Sequence, residues 1–243
     1  MRVVTFNIHH GTVGGKGPVD ADRLGEVCAG FDADVLALQE VDMATLRVGG
    51  VDLAARVAQA CGMNHVFGAS RRLPGGFYGN ALLVRGAVEG WRVAPLRRSP
   101  RWKRWQERRT VLLASVAVDG LALSVAATHL AVPQWVNGPQ LERLLELVAD
   151  RPRPLVVLGD LNRFPSTVAP TARAAGLEYV PHGPTCPVPG RRLVIDHVLV
   201  SPDLTVREVE VRSTPMSDHA ALLVDLDPSD PTDGPDPMDA PSP

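Results

Sequence analysis

Leu155-Val156-Val157-Leu158-Gly159-Asp160-Leu161-Asn162 is the stretch on which the reading of this chain turns. Its first five residues are a short apolar run rich in Val and Leu, which reads as a strand. Asp160 and Asn162 close it. A carboxylate and an amide set against an apolar strand are costly to bury without partners. One such ending is ordinary, because Asp and Asn suit turns.

The same punctuation recurs along the chain. Strands are predicted at Arg2–Ile8, Val35–Gln39, Asn80–Arg85, Thr110–Val118, Leu121–His129, Leu155–Gly159, Val194–Ser201, Thr205–Arg212 and Ala220–Asp227. Helices are predicted at Ala21–Gly30, Val51–Gly62, Gln140–Ala149 and Thr167–Gly176. In the third of these, Leu141, Leu144, Leu145 and Val148 form one apolar stripe. Strands outnumber helices about two to one, which points to sheets covered by helices rather than a simple doubly wound sheet.

Polar groups fall at the ends of these strands. Asn7 ends the first and Glu40 follows the second. His129 ends another, Asp196-His197 interrupts Val194-Ile195 and Val198-Leu199-Val200, and Asp218-His219 precedes the last. Glu40, Asn7, Asp160 and Asp218 offer oxygen ligands of the kind that suit Mg²⁺ or Mn²⁺. His129 and His219 can exchange a proton near neutral pH, and a carboxylate beside a histidine fixes its tautomer. Together these groups form a kit for metal-assisted hydrolysis of a phosphate ester.

Composition sets the frame. Hydrophobic residues make up 45% and charged residues 21% of 243, enough to bury a sizeable core and too apolar for a disordered chain. No run reaches the ~20 apolar residues of a membrane helix. The first residues carry no secretory h-region, so a cytoplasmic protein is expected. Cys28, Cys61 and Cys186 have no paired spacing and are read as free thiols. From Pro228 to Pro243 six residues are Pro and four are Asp, which predicts a disordered tail and a folded domain over 1–227. Without the tail's four charges the net charge moves from −2 to +2, so charge alone does not predict nucleic-acid binding.

Asn7-Ile8-His9-His10-Gly11, Leu38-Gln39-Glu40-Val41-Asp42, Tyr78-Gly79-Asn80-Ala81-Leu82-Leu83, Thr128-His129-Leu130, Gly159-Asp160-Leu161-Asn162, Ile195-Asp196-His197 and Ser217-Asp218-His219 occur in an order that resembles the endonuclease/exonuclease/phosphatase superfamily, the deoxyribonuclease I-like phosphoesterases. The resemblance spans Asn7 to His219. It implies an α/β fold: a four-layered α/β/β/α sandwich of two mixed sheets with outer helices. It implies Mg²⁺ as cofactor, with Mn²⁺ as a substitute. By the same resemblance Glu40 is the main metal ligand, Asn7 positions metal or phosphate, and Asp218 is a second-site ligand. Asp160 orients or deprotonates the attacking water, Asn162 binds a phosphate oxygen, Asp196 holds His219, and His129 is the general acid. Arg109, Tyr78, Asn80 and His10 are the substrate-binding candidates. Alternation along a strand lets only one of His9 and His10 face the site, and His10 is the choice. The same rule turns His197 away, and His65 and His182 read as surface or loop residues.

Substrate identity rests on one segment. Seven of the 13 residues from Arg97 to Arg109 are basic, and Trp102 and Trp105 lie among them. Basic groups with interleaved aromatics suit a phosphate backbone, an anionic lipid surface, or a loop packed over a sheet end. Trp135 walls the pocket or packs. The domain is short for this superfamily and leaves little room for large insertions. The leading expectation is a monomeric phosphodiesterase acting on nucleic acid. A phosphatase or phospholipase C-like (sphingomyelinase-like) enzyme of small or lipid phosphoesters is the alternative, and a non-catalytic binding relative is third.

Overall fold

The computed structural model describes residues 1–97, 107–188 and 191–229. Most of the Arg97–Arg109 segment and nearly all of the tail therefore lie outside the described residues. In chain order the described elements are β1 (Arg2–Asn7), α1 (Ala21–Ala29), β2 (Val35–Met43), α2 (Leu53–Cys61), β3 (Asn64–Leu73), β4 (Gly76–Val84), β5 (Ala87–Pro95), β6 (Thr110–Val118) and β7 (Leu121–His129). They continue with α3 (Gln134–Val148), β8 (Leu155–Asp160), α4 (Pro165–Ala174), β9 (Glu178–Tyr179), β10 (Cys186–Val188), β11 (Arg191–Leu193), β12 (Asp196–Val200), β13 (Leu204–Arg212) and β14 (Ala221–Pro228).

Two six-stranded mixed sheets form, ordered β13-β14-β1-β2-β4-β3 and β5-β6-β7-β8-β12-β9. In each, one central pair is parallel, β1 with β2 and β7 with β8, and the other pairs are antiparallel. Three apolar clusters stack the layers. Val3, Ala37 and Leu82 of one sheet meet Leu112, Val125 and Leu158 of the other. Leu24, Leu53 and Val57 of α1 and α2 cover Leu36, Leu38 and Leu83. Leu141, Leu144 and Val168 of α3 and α4 cover Val111, Leu113 and Val157. Helix, sheet, sheet, helix is the four-layered order that the resemblance implies.

Period two then places the site. Side chains two apart share a face of a strand. On the face between the sheets the rows read Val3-Thr5-Asn7, Val125-Ala127-His129, Val156-Leu158-Asp160 and Val200-Val198-Asp196. Three rows are apolar up to their last residue, the first carries Thr5 before Asn7, and all four are polar at the same end, where His129 pairs with Asp160 and Asp160 with Asp196.

Several boundaries differ from the sequence reading. β2 runs on to Met43 because its register with β4 slips between Leu38 and Val41. This bulge holds Glu40 at φ 58°, out of the regular pleat. β3 and β5 went unpredicted. α3 starts six residues before the expected Gln140, since Gly138-Pro139 hides the helical pattern. Ser229 is still held, its N–H donating to Asp203 O. All three cysteines are free thiols. No helix among the described residues is long and apolar enough to cross a membrane.

Candidate active site

Asn7 stands at the centre. Its Nδ2 donates to Glu40 Oε1 at 3.2 Å and to Asp160 Oδ2 at 3.1 Å, so one amide ties a carboxylate of each sheet. Its Oδ1 accepts the His9 N–H at 3.1 Å. Asp160 closes an Asx turn by accepting the Asn162 N–H on Oδ1 at 2.9 Å, which aims the Asn162 amide back over the strand end. Burial, reinforced by the Asp196 charge, pushes Asp160 up to about 7.

Asp196 and His219 form a pair, with Oδ2 2.8 Å from Nδ1. Burial opposes a charge on His219, yet the Asp196 carboxylate outweighs it and pushes the imidazole up to about 12. The ring is therefore an imidazolium at neutral pH. Its loop is pinned by Ser217, whose Oγ donates to Asn7 O at 2.6 Å and accepts the His219 N–H at 3.0 Å. Thr185 Oγ1 accepts the Asp196 N–H at 3.3 Å. The sequence reading gave Ser217 and Thr185 no role. Ser217 carried a signal, its place two residues before His219.

His129 departs from its expected part. Burial first, and then the nearby Arg109 and His219 charges, hold its pKa well below the usual imidazole value. Asn162 Nδ2, which can only donate, lies 3.2 Å from His129 Nε2. That nitrogen accepts, so the proton sits on Nδ1, a buried atom with no partner among the described residues. The 3.4 Å approach of Nε2 to Asp160 Oδ2 is then no ion pair.

His9 and His10 correct another expectation, because both face the site. They lie in a short turn beyond β1 with φ of 42° and 60°, and strand alternation does not govern there. His9 Nδ1 is 2.8 Å from Asp218 Oδ1, a contact that raises the pKa of His9. It also lowers Asp218 against the opposing effect of burial. His10 bridges two carboxylates, with Nε2 3.3 Å from Glu40 Oε2 and Nδ1 3.1 Å from Asp42 Oδ2. Behind it Asp42 takes a two-pronged bond from Arg47 and one from Thr45.

The remaining candidates divide. Tyr78 is buried beside His10, with ring centroids 5.7 Å apart, and Arg109 reaches the Tyr78 hydroxyl and Glu107. Asn80 lies one step deeper between the sheets and donates to Thr110 O at 3.4 Å, away from the carboxylates. His197 turns away as expected, its Nε2 donating to Arg163 O at 2.7 Å. His182 lies on the loop between β9 and β10, half-buried against His197, and His65 is exposed on β3. Trp135, Val132 and Phe164 form exposed apolar points on the neighbouring loops.

A hard divalent cation fits this donor set. Ligating atoms of Asp160, Asp196 and His219 lie within 4.8 Å of one another; with His219 protonated the two carboxylates are what this group offers a cation, and Asp196 Oδ1 is buried without a partner among the described residues. Glu40 adds a half-open carboxylate across Asn7. Buried oxygens that drive up Asp160 are short of positive charge, and such oxygens are Mg²⁺-type ligands.

Fold and site together define a class, the layered sandwiches that carry carboxylate, amide and histidine groups at one end of two facing sheets. The chain belongs to the endonuclease/exonuclease/phosphatase family, whose model matches residues 4–219. Hydrolases of this family act on phosphoester bonds and generally use a divalent metal. An endonuclease/exonuclease/phosphatase from Beutenbergia cavernae is similar at 27% identity and TM-score 0.78, over 94% of this chain and 71% of that one. The human Nocturnin catalytic domain with bound sulfate is 20% identical, with TM-score 0.71 and coverage of 94% and 93%. A mannosyl-6-phosphatase of Bacteroides thetaiotaomicron is 17% identical, with TM-score 0.71 and coverage of 93% and 99%. No curated protein matches the sequence.

Proposed function

We propose that this protein is a Mg²⁺-dependent phosphodiesterase that hydrolyses nucleic acid by direct attack of water. One observation carries the chemistry. The Asp160 carboxylate and the His219 imidazolium lie within 4.8 Å of one another at one end of the sheets, with the Asn7 amide and the Asn162 N–H both bonded to Asp160. A carboxylate can orient water and take its proton, while an imidazolium can stabilise the charge that grows on phosphate oxygens.

The residue roles follow from the bonds. Asp160 orients the water. Asn162 Nδ2 is shared between His129 Nε2 and Leu130 O, so it binds a phosphate oxygen by exchanging one of these acceptors for it. Asp196 keeps the proton of His219 on Nδ1 and leaves Nε2 for the phosphate. Asn7 fixes the spacing of Glu40 and Asp160. Glu40 would hold the cation, and Asp218 with His9 offers a second place. The cation supplies positive charge that polarises the phosphate. His129 serves as an acceptor that holds Asn162, in place of the general-acid role that the resemblance implied. The nucleic-acid reading is supported by the basic and aromatic composition of Arg97–Arg109.

Supercoiled plasmid tests this reading. Wild-type protein in Mg²⁺ is expected to nick it, while EDTA and Asp160→Asn abolish the activity. Plasmid left intact, with single-stranded DNA and RNA also uncut, rules out nucleic acid as the substrate.

A further inference from the structure

The His182–His197 pair, the shallow cleft beside α4 and β9, and the apolar edge around Trp91 lie away from the site. Each shows contacts but nothing that identifies a ligand. The arginines around Tyr78 do. Arg47 lies over the Tyr78 ring with its guanidinium carbon 5.2 Å from the centroid, and Arg71 lies 5.3 Å from the same point. Arg109 reaches the hydroxyl of that tyrosine. The His10 ring, in contact with Glu40, packs against Tyr78 too. Three cations thus gather one ring away from the proposed metal carboxylate.

Their partners do not neutralise them. Asp42 takes Arg47 but is shared with His10 and Thr45. Glu107 is shared by Arg71 at 3.6 Å and Arg109 at 3.2 Å. Among the described residues, three guanidinium groups face two carboxylates. Arg109 is nine-tenths buried, and its Nε has no partner among the described residues. Arg47 and Arg71 are about two-fifths exposed and open to solvent. Arg47 spends two of its five donors on Asp42, and the planar fork suits phosphate oxygens.

We propose that Arg47, Arg71 and Arg109, braced on Tyr78, form a second anion subsite that takes a phosphate group of the substrate next to the scissile one. The inference rests on placing the scissile phosphate at Glu40, Asp160 and His219. The second phosphate is either the next diester of a polynucleotide or a terminal phosphomonoester.

Binding distinguishes these sources without turnover. The ligands are the dinucleotide dTpdT, its 5′-phosphorylated form and the trinucleotide dTpdTpdT, titrated calorimetrically in Mg²⁺ into Asp160→Asn protein with and without Arg71→Gln. One of the two-phosphate ligands is expected to bind about tenfold tighter than dTpdT to the Arg71 protein, and less than about twofold tighter after Arg71→Gln. Preference for the trinucleotide assigns the subsite to the neighbouring diester, and preference for the 5′-phosphate assigns it to a phosphomonoester. Arg71→Lys, which keeps the charge and loses the fork, is expected to fall between. Equal gains with and without Arg71, or no gain from a second phosphate, overturn the subsite. Wild-type hydrolysis of bis(p-nitrophenyl) phosphate is followed separately. Its absence would sink the catalytic reading and leave the binding result standing.

Discussion

Asp196 and His219 show what one buried pair does for chemistry at phosphorus. The carboxylate is wholly buried, and its contact with Nδ1 is worth more to the charged ring than burial costs it. The result is a fixed cation, held by Asp196 and in contact with Cys186. Such a group does not reorganise as charge develops, which is where electrostatic catalysis gains most. His219→Ala is expected to lower kcat/KM by at least ~10²-fold at a temperature where the variant is folded, and also to lower the thermal midpoint, because it leaves the buried Asp196 carboxylate unpaired. Steady-state rates and a melting curve on the same preparation check this. A loss below tenfold would move His219 out of the reaction. His9 and His10 teach the opposite lesson at the same scale. From the sequence they are neighbours that must diverge. In the structure a positive φ at each turns both rings to the site, one to Asp218 and one to Glu40 and Asp42. Positive φ at a non-glycine residue is uncommon, and nothing in His-His-Gly announces it.

At the scale of elements, β7 and β8 carry the closest constraint. They run parallel, and their last pair is His129 with Asp160. One residue earlier, Gly159 lies against Thr128, where a Cβ would fall 2.1 Å from the Thr128 carbonyl oxygen. That contact is backbone and cannot swing away. Gly159→Ala must part the two strands at the point where they hold His129 and Asp160. It is expected to cost about 1–3 kcal/mol and to reduce activity together with stability. Denaturant unfolding with rate measurements decides it, and a variant with wild-type midpoint and rate would show that the strands have slack. The glycine of Gly-Asp-Leu-Asn thus has a steric reason. Central strands were readable because they are apolar through and through. β3 and β5 were not, because each is an edge strand and most of its residues face water. Arg71, Arg72, Glu89 and Arg92 break the alternation there, as charges on edges often do. Glu40 was legible as an acid at a strand end, but the bulge that aims it, and carries β2 on to Asp42 and Met43, left no pattern to read.

At the scale of the whole molecule, the site belongs to neither sheet alone. Asn7 and Glu40 come from the sheet of β1 and β2, and His129, Asp160 and Asp196 from the sheet of β7, β8 and β12. Asp218 and His219 enter on the loop before β14. The strand-end groups were legible in the sequence one by one. Their meeting across two sheets follows only from the face between the sheets, where four rows turn polar at one end. The spacing of the site is therefore set by how the two sheets pack. Leu158, fully buried between the sheets and two residues before Asp160, should matter differently from Leu144, which is as deeply buried on α3 where that helix covers the outer face of the sheet. Both Leu→Ala changes are expected to cost about 2–5 kcal/mol, since each leaves a cavity of the same chemistry. Leu158→Ala should also lower kcat/KM at a temperature where both variants remain folded, because the sheets settle toward the cavity and Asp160 shifts against Asn7. Leu144→Ala should leave the rate near wild type. Unfolding curves and rates for the pair check the contrast. Equal losses of activity would mean that the helix layer, not the packing between sheets, sets the distance from Glu40 to Asp160.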